Sequence, residues 1–193
     1  RNISHDLRLL GVNVSLLTVF GEDDRSEVLR RSCLSPGIDI SHSLTVSGGS
    51  SPTYLYLCDD RGDMLMAVSD MALCDSLSPD YLRSVSDVLD GAALVIADTN
   101  IPSESLRWLA DNCSAPIFAD AVSTKKAIRL SPVLGRLHTL KPNRLEAEAL
   151  TGERATDIWS WRGLASPETG RYSEKLLERA DERIRLSDLT FPH

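Results

Sequence analysis

Asn143 and Glu146 stand three residues apart, where a short apolar run gives way to a helix-forming one. At i and i+3 of a helix start, both side chains can point at one spot. Phosphoryl transfer needs positioning and charge neutralisation more than covalent help, and the Mg²⁺ that accompanies it prefers carboxylate, water and phosphate oxygens. An amide beside a carboxylate suits that chemistry. Asn-x-x-Glu is equally a helix-start pattern, a capping amide with an acid in the first turn, and spacing alone favours that plainer role. Lys141 precedes Pro142, so its backbone is extended and its side chain can reach over a strand edge. It either neutralises phosphate charge or snorkels at the surface. Lys126 follows the strand end at 120–123 and either meets a transferring phosphate or is a solvated helix lysine. Asp120 closes an apolar run, where an ionised acid needs a partner. Hydrogen bonds to a neighbouring loop, support of a metal site and a structural cap all meet that need.

These residues sit in a repeating pattern. Helices are predicted at 79–89, 103–112, 124–134 and 144–150, with strands at 92–98, 116–122 and 137–140 between them. Such alternation signals a parallel α/β sheet. The runs 92–97 and 116–119 are apolar throughout, as strands buried on both faces are. Ligands of such sheets lie beyond the carboxyl ends of the strands. Those ends carry Asp98, Thr99 and Asn100, then Asp120 to Ser123, then Lys141 to Asn143.

The front of the chain reads as a helix at 2–10, a strand at 12–20 and a helix at 23–34 with acids early and arginines late. A short strand at 44–46 and a Ser/Gly-rich loop follow. Two runs, 53–58 and 64–69, joined by Asp-Asp-Arg-Gly-Asp, form a β-hairpin. It is apolar on both faces, with Tyr54 and Tyr56 on one and Leu55 and Leu57 on the other. It therefore covers a pocket or packs on another subunit. Gly48-Gly49 reads as a flexible hinge.

The chain has 193 residues with 21 basic and 28 acidic side chains, a net charge of −7. That balance argues against a nucleic-acid polymer as partner. No run approaches the ~20 apolar residues that span a bilayer, and no secretory signal is expected from the opening residues. The four cysteines, Cys33, Cys58, Cys74 and Cys113, lack metal-ligand spacing and read as reduced cytoplasmic thiols, mostly core filling. From Glu153 the pattern is lost, apart from an amphipathic stretch at 173–186.

Leu140-Lys141-Pro142-Asn143-Arg144-Leu145-Glu146, with Asp98-Thr99-Asn100 and Asp120-Ala121-Val122-Ser123, resembles the ribokinase-like (phosphofructokinase-B type) carbohydrate kinases. Lys-Pro-Asn-x-x-Glu is a hallmark of that family, and Asn2 with Leu9-Leu10-Gly11 resembles the tail of its Gly-Gly-x-x-x-Asn sugar signature. Thr53-Tyr54-Leu55, Gly62-Asp63-Met64-Leu65 and Ser69-Asp70-Met71 resemble its pseudouridine-kinase subgroup. The likeness runs over 1–152. It implies an incomplete layered α/β/α parallel sheet with a small hairpin lid at about 44–70, followed at 153–193 by a divergent charged tail, helical or disordered.

The resemblance also implies roles. ATP and Mg²⁺ would be the cofactors, and a small nucleoside or sugar the acceptor. Asn143 would contact phosphate and Glu146 would hold Mg²⁺ through water, with Asp120 helping. Lys126 and Lys141 would meet phosphate. Asn2 would contact the ribose, although a helix N-terminal amide explains it equally. Thr53 and Asp70 flank the hairpin at its pocket end. Asp70 either accepts from uracil N–H groups or is a turn residue, and Asp98 and Asn100 would support the same pocket. The family's first strand, its paired glycines and its Gly-Ala-Gly-Asp segment, whose aspartate is the base, find no match here. Position 121 is Ala where relatives commonly have Pro. No catalytic base is therefore expected within the chain, and little turnover from it alone. The parent reaction is phosphorylation of the 5′-hydroxyl of pseudouridine in the cytoplasm. A sugar or another nucleoside as acceptor, or a non-catalytic remnant that dimerises through the hairpin, are the competing expectations.

Overall fold

The computed structural model describes residues 1–62 and 64–152. The tail at 153–193, with the helix expected at 173–186, lies outside the described residues. The chain divides into two compact units, Arg1–Val85 and a second that begins at Ser86.

The first unit opens on α1 (Asn2–Leu9). The strand expected over 12–20 is formed only at its end, as β1 (Val19–Phe20), both residues buried. Upstream, a lone parallel bridge joins Ser15 to Asp39. Between the two, the Ser43 hydroxyl accepts from Thr18 N and donates to Leu16 O, replacing ladder bonds with side-chain ones. The helix α2 (Asp24–Leu34) connects β1 to its parallel partner β2 (Leu44–Thr45). Asp23 caps α2 by accepting from Ser26 N, and Arg31 closes the last turn opposite the early acids.

Strands β3 (Thr53–Cys58) and β4 (Met64–Asp70) pair antiparallel from Thr53 with Asp70 to Cys58 with Met64. This is the expected hairpin. Its apolar side chains, from Tyr54 at 49% to Leu65 at 70%, are exposed on both faces. A 3-10 turn (Ala72–Ser76) then leads to α3 (Pro79–Ser84), which Ser78 caps and Pro79 starts. The single helix expected over 79–89 breaks at Val85 (φ −116, ψ 19), next to Ser84, whose hydroxyl donates back to Tyr81 O.

The second unit continues with α4 (Ser86–Asp90), β5 (Val95–Asp98), α5 (Ser103–Asn112), β6 (Ile117–Asp120) and α6 (Thr124–Ala127). A 3-10 stretch (Ile128–Arg136), β7 (Thr139–Lys141) and α7 (Arg144–Thr151) follow. The three strands form a parallel sheet in the order β5-β6-β7. The helix expected over 124–134 yields to 3-10 turns because Pro132 cannot donate within it. Its buried Ala127, Leu130 and Val133 still fill the core, joined by Leu106, Leu109 and Ala110 of α5. Burial of both faces, expected for each strand, holds best for the central β6. In β5, Ile96 stays 38% exposed and only Ala97 is buried. Of the cysteines, all free, Cys33 and Cys74 are buried, whereas Cys58 is exposed on the hairpin, so core filling accounts for half of them.

Candidate active site

The parallel register places Asp98 beside Asp120 and Asp120 beside Lys141, one row across the carboxyl ends of the sheet. Each acid closes a turn. Asp98 accepts from Asn100 N at 2.8 Å, and Asp120 accepts from Val122 N at 3.4 Å. Lys141 Nζ lies 3.7 Å from Asp120, a largely exposed pair that contributes little to stability. Its value is positional, since it brings a cation to the rim.

Next to this row, Lys126 Nζ donates to Asn100 Oδ1 at 2.6 Å, so two residues assigned by sequence to different ligands meet. Arg129 drew no attention in the sequence. Its Nη1 reaches the carbonyls of Thr99, Asn100 and Ile101 at 3.1, 3.2 and 3.0 Å. Thr99, fully buried, donates to Ala121 O. No local pattern announces a contact across about thirty residues.

The turn after β6 carries backbone strain. Val122 has φ +59, and Ser123 N donates to Ala121 O at 2.6 Å across it, a three-residue turn. A left-handed β-branched residue costs about 1–2 kcal/mol, and Val122 is 44% exposed, so packing does not repay it. Val122→Gly is expected to melt at or a few degrees above wild type. A fall of more than about 5 °C in a thermal scan would show that side-chain packing, not backbone geometry, governs this position.

At the third strand end, Asn143 Oδ1 accepts from Glu146 N at 2.9 Å and Glu146 Oε2 accepts from Asn143 N at 2.8 Å. The reciprocal pair is a capping box starting α7. The plain helix-start role is thus present. Asn143 is exposed while Glu146 is buried at 4%.

The remaining predicted residues belong to the first unit. Asn2 opens α1 and accepts from Arg1. Thr53 and Asp70 are cross-strand partners at the hairpin base. Asp70 accepts from Ala72 N in the turn after β4. Thr53 donates to Ser51 O and accepts from Arg25. Sequence missed the anchor beneath them. The Asp23 carboxylate accepts from Ser51 Oγ, Ser26 Oγ, both their amides and Arg25 Nε. Glu22 accepts from Gly48 N and Ser47 Oγ. The Ser/Gly loop expected to be a flexible hinge is therefore fastened to the start of α2.

Ser51 first, then Ser26, hold the Asp23 carboxyl far below its ordinary 3.8. A depressed folded-state pKa means that the contribution is whole above pH 3.8 and is lost as pH falls below it. Asp23→Asn is expected to melt lower than wild type at pH 7 and to lose less on acidification below pH 4. Melting temperatures from pH 2 to 7 check this, and parallel curves would refute it.

Among the described residues no group of three His, Cys, Asp or Glu side chains could hold a metal ion by itself. The donor set fits Mg²⁺ held mainly by water and phosphate oxygens with one or two carboxylates. Asp98 and Asp120 are the acids in the row of strand ends, and Glu146 follows the third strand. No described helix is long and apolar enough to cross a membrane.

Comparison with known proteins gives a match to the model of the pfkB family carbohydrate kinases over residues 1–166. Pseudouridine kinase of Escherichia coli K12 is 38% identical over 153 residues, 79% of this chain and 49% of that one. The chain spans about half the length of the curated relatives it matches. Among solved structures, a putative sugar kinase from Clostridium perfringens is 28% identical with TM-score 0.70, covering 85% of this chain and 52% of the other. Ribokinase from Giardia lamblia, 18% identical with TM-score 0.69, covers 88% and 55% and shares the fold.

Proposed function

We propose, from the premise that the chain belongs to the pfkB family of carbohydrate kinases and carries part of the ribokinase-like α/β fold, that it handles ATP, Mg²⁺ and pseudouridine for phosphorylation of the nucleoside 5′-hydroxyl in the cytoplasm. The observation that carries the kinase half is the row of strand ends, where Asp98, Asp120 and Lys141 are in register and Asn143 with Glu146 follows directly. The choice of acceptor is supported by the identity to the Escherichia coli pseudouridine kinase. A sugar as acceptor is the alternative, and the likeness to the Clostridium protein keeps it in play.

Residues 1–152 form the kinase part in this proposal, with 44–70 as its lid. Lys126, Lys141 and Asn143 neutralise and orient phosphate oxygens. Glu146, with Asp120, would hold Mg²⁺ through water, and the ion would supply charge neutralisation at the phosphates. Asn2, Thr53 and Asp70, taken within the first unit, carry recognition of the nucleoside in this proposal. Catalysis of this kind is positioning plus electrostatics. Calorimetric titration with pseudouridine, ribose and MgATP tests it. Heat is expected with pseudouridine and with MgATP, and at least tenfold weaker binding of ribose. Silence with both pseudouridine and MgATP would overturn the kinase reading, while preference for ribose would move it to a sugar.

The exposed hairpin favours one addition. An apolar surface on both faces of two strands suits association, and we assign it to a second copy of the chain. Light scattering is expected to give a dimer, and Leu55→Asp with Met66→Asp a monomer.

A further inference from the structure

Asn100 has an orientation that its neighbours dictate. Lys126 Nζ can only donate, so the side-chain atom it meets at 2.6 Å must be the amide oxygen. The amide nitrogen, Nδ2, then points the other way. Asn100 is half-buried, no described residue accepts from Nδ2, and no buried side-chain polar atom is left without a partner, so Nδ2 is not sealed from solvent. The backbone beneath is equally fixed. Arg129 Nη1 takes the carbonyls of residues 99 to 101 together, Asn100 N donates to Asp98, and Thr99 is tied to Ala121. Three carbonyls converging on one guanidinium nitrogen leave this turn little freedom to rotate the amide.

Resting on the kinase reading above, we infer that Arg129 is a positioning residue and that, with Lys126, it holds Asn100 as a hydrogen-bond donor. Nδ2 and the two remaining N–H groups of Lys126 then offer several donors to a negatively charged oxygen, beside the Asp98 carboxylate that accepts from Asn100 N. A phosphoryl oxygen accepts from both residues at once, and charge-assisted donation from Lys126 strengthens it. Asn100 thereby belongs with the phosphate-handling residues rather than with the acceptor-recognising ones. Arg129 acts through the turn and touches no ligand.

The test uses the whole chain and inorganic phosphate, followed by NMR of the Asn100 side-chain amide. In wild type these resonances are expected to shift saturably, in about the millimolar range. Asn100→Asp replaces the donor by a carboxylate and should weaken binding at least tenfold, read from the backbone amide resonance of position 100 because the side-chain amide is gone. Arg129→Gln should weaken it several-fold with Lys126 intact, and Arg129→Lys should recover part of that loss. An unmoved Asn100 signal in wild type, or Asn100→Asp binding as tightly as wild type, overturns the inference. Nucleoside and MgATP heats judge the kinase reading separately. Phosphate bound at Asn100 without those heats would leave the inference standing and remove the kinase.

Discussion

Gly21→Ala is expected to destabilise the first unit by about 3 kcal/mol, the upper end of what overpacking costs. An added Cβ would lie 2.3 Å from Gly49 O, 2.8 Å from Gly49 C and 3.0 Å from Ser50 C. All three are backbone atoms, so no side chain can swing aside. The loop cannot retreat cheaply either. Glu22 N donates to Gly49 O at 3.0 Å, Glu22 holds Gly48 N, and Asp23 holds Ser51. A shift of the loop breaks these bonds together and frees the base of β3, which Arg25 secures through Thr53. Gly48 is the internal control. It has φ +67 and open space around its Cβ direction, so Gly48→Ala should cost only the left-handed penalty of about 1–2 kcal/mol. Urea unfolding of both variants, with amide exchange along β3 and β4, makes the measurement. Equal stability of Gly21→Ala and wild type would mean that the close approach is not a constraint in solution.

That contact also shows what a sequence hides. Gly21 ends an apolar run and Gly49 sits in a Ser-rich loop, and each reads as ordinary local punctuation. Their meaning arises when β1 and β2 pair and bring the two chain segments together. Asp23 is similar. An acid just before a helix is legible as a cap, and Ser26 N does meet it. Its bonds to Ser51 come from a residue 28 positions away. What was legible is local or periodic. The hairpin registers as two apolar runs around a polar turn, and α5 starts and stops where its pattern does. Asn143 and Glu146 announce α7 by their spacing. What failed were lengths governed by competing bonds. Ser43 takes the place of ladder bonds in the first strand, a helix breaks beside Ser84, and Pro132 cannot donate in another that becomes 3-10 turns. In the candidate site, the sheet aligned the acids and lysine that strand ends had suggested. Arg129 was invisible because three carbonyls have no signature in side-chain types.

Glu146→Gln is expected to lower affinity for MgATP at least tenfold while leaving the fold nearly intact. Glu146 has two roles at one carboxyl group in the proposed kinase. Oε2 accepts from Asn143 N and starts α7. The charge would favour Mg²⁺ at the rim. Glutamine keeps an oxygen for Asn143 N, so the cap survives, and its cost stays within about 1 kcal/mol. It removes the negative charge, and the metal-linked part of nucleotide binding goes with it. Glu146→Ala removes both, so it should lose the binding and also destabilise α7 by about 1–2 kcal/mol, since the side chain is buried and Asn143 N loses its acceptor. Calorimetry with ATP in the presence and absence of MgCl₂, beside thermal melts, separates the two roles. The affinity gain on adding MgCl₂ should be large in wild type and nearly gone in both variants. A Glu146→Gln chain that keeps the full gain would reduce Glu146 to a helix cap and send the metal assignment to Asp120.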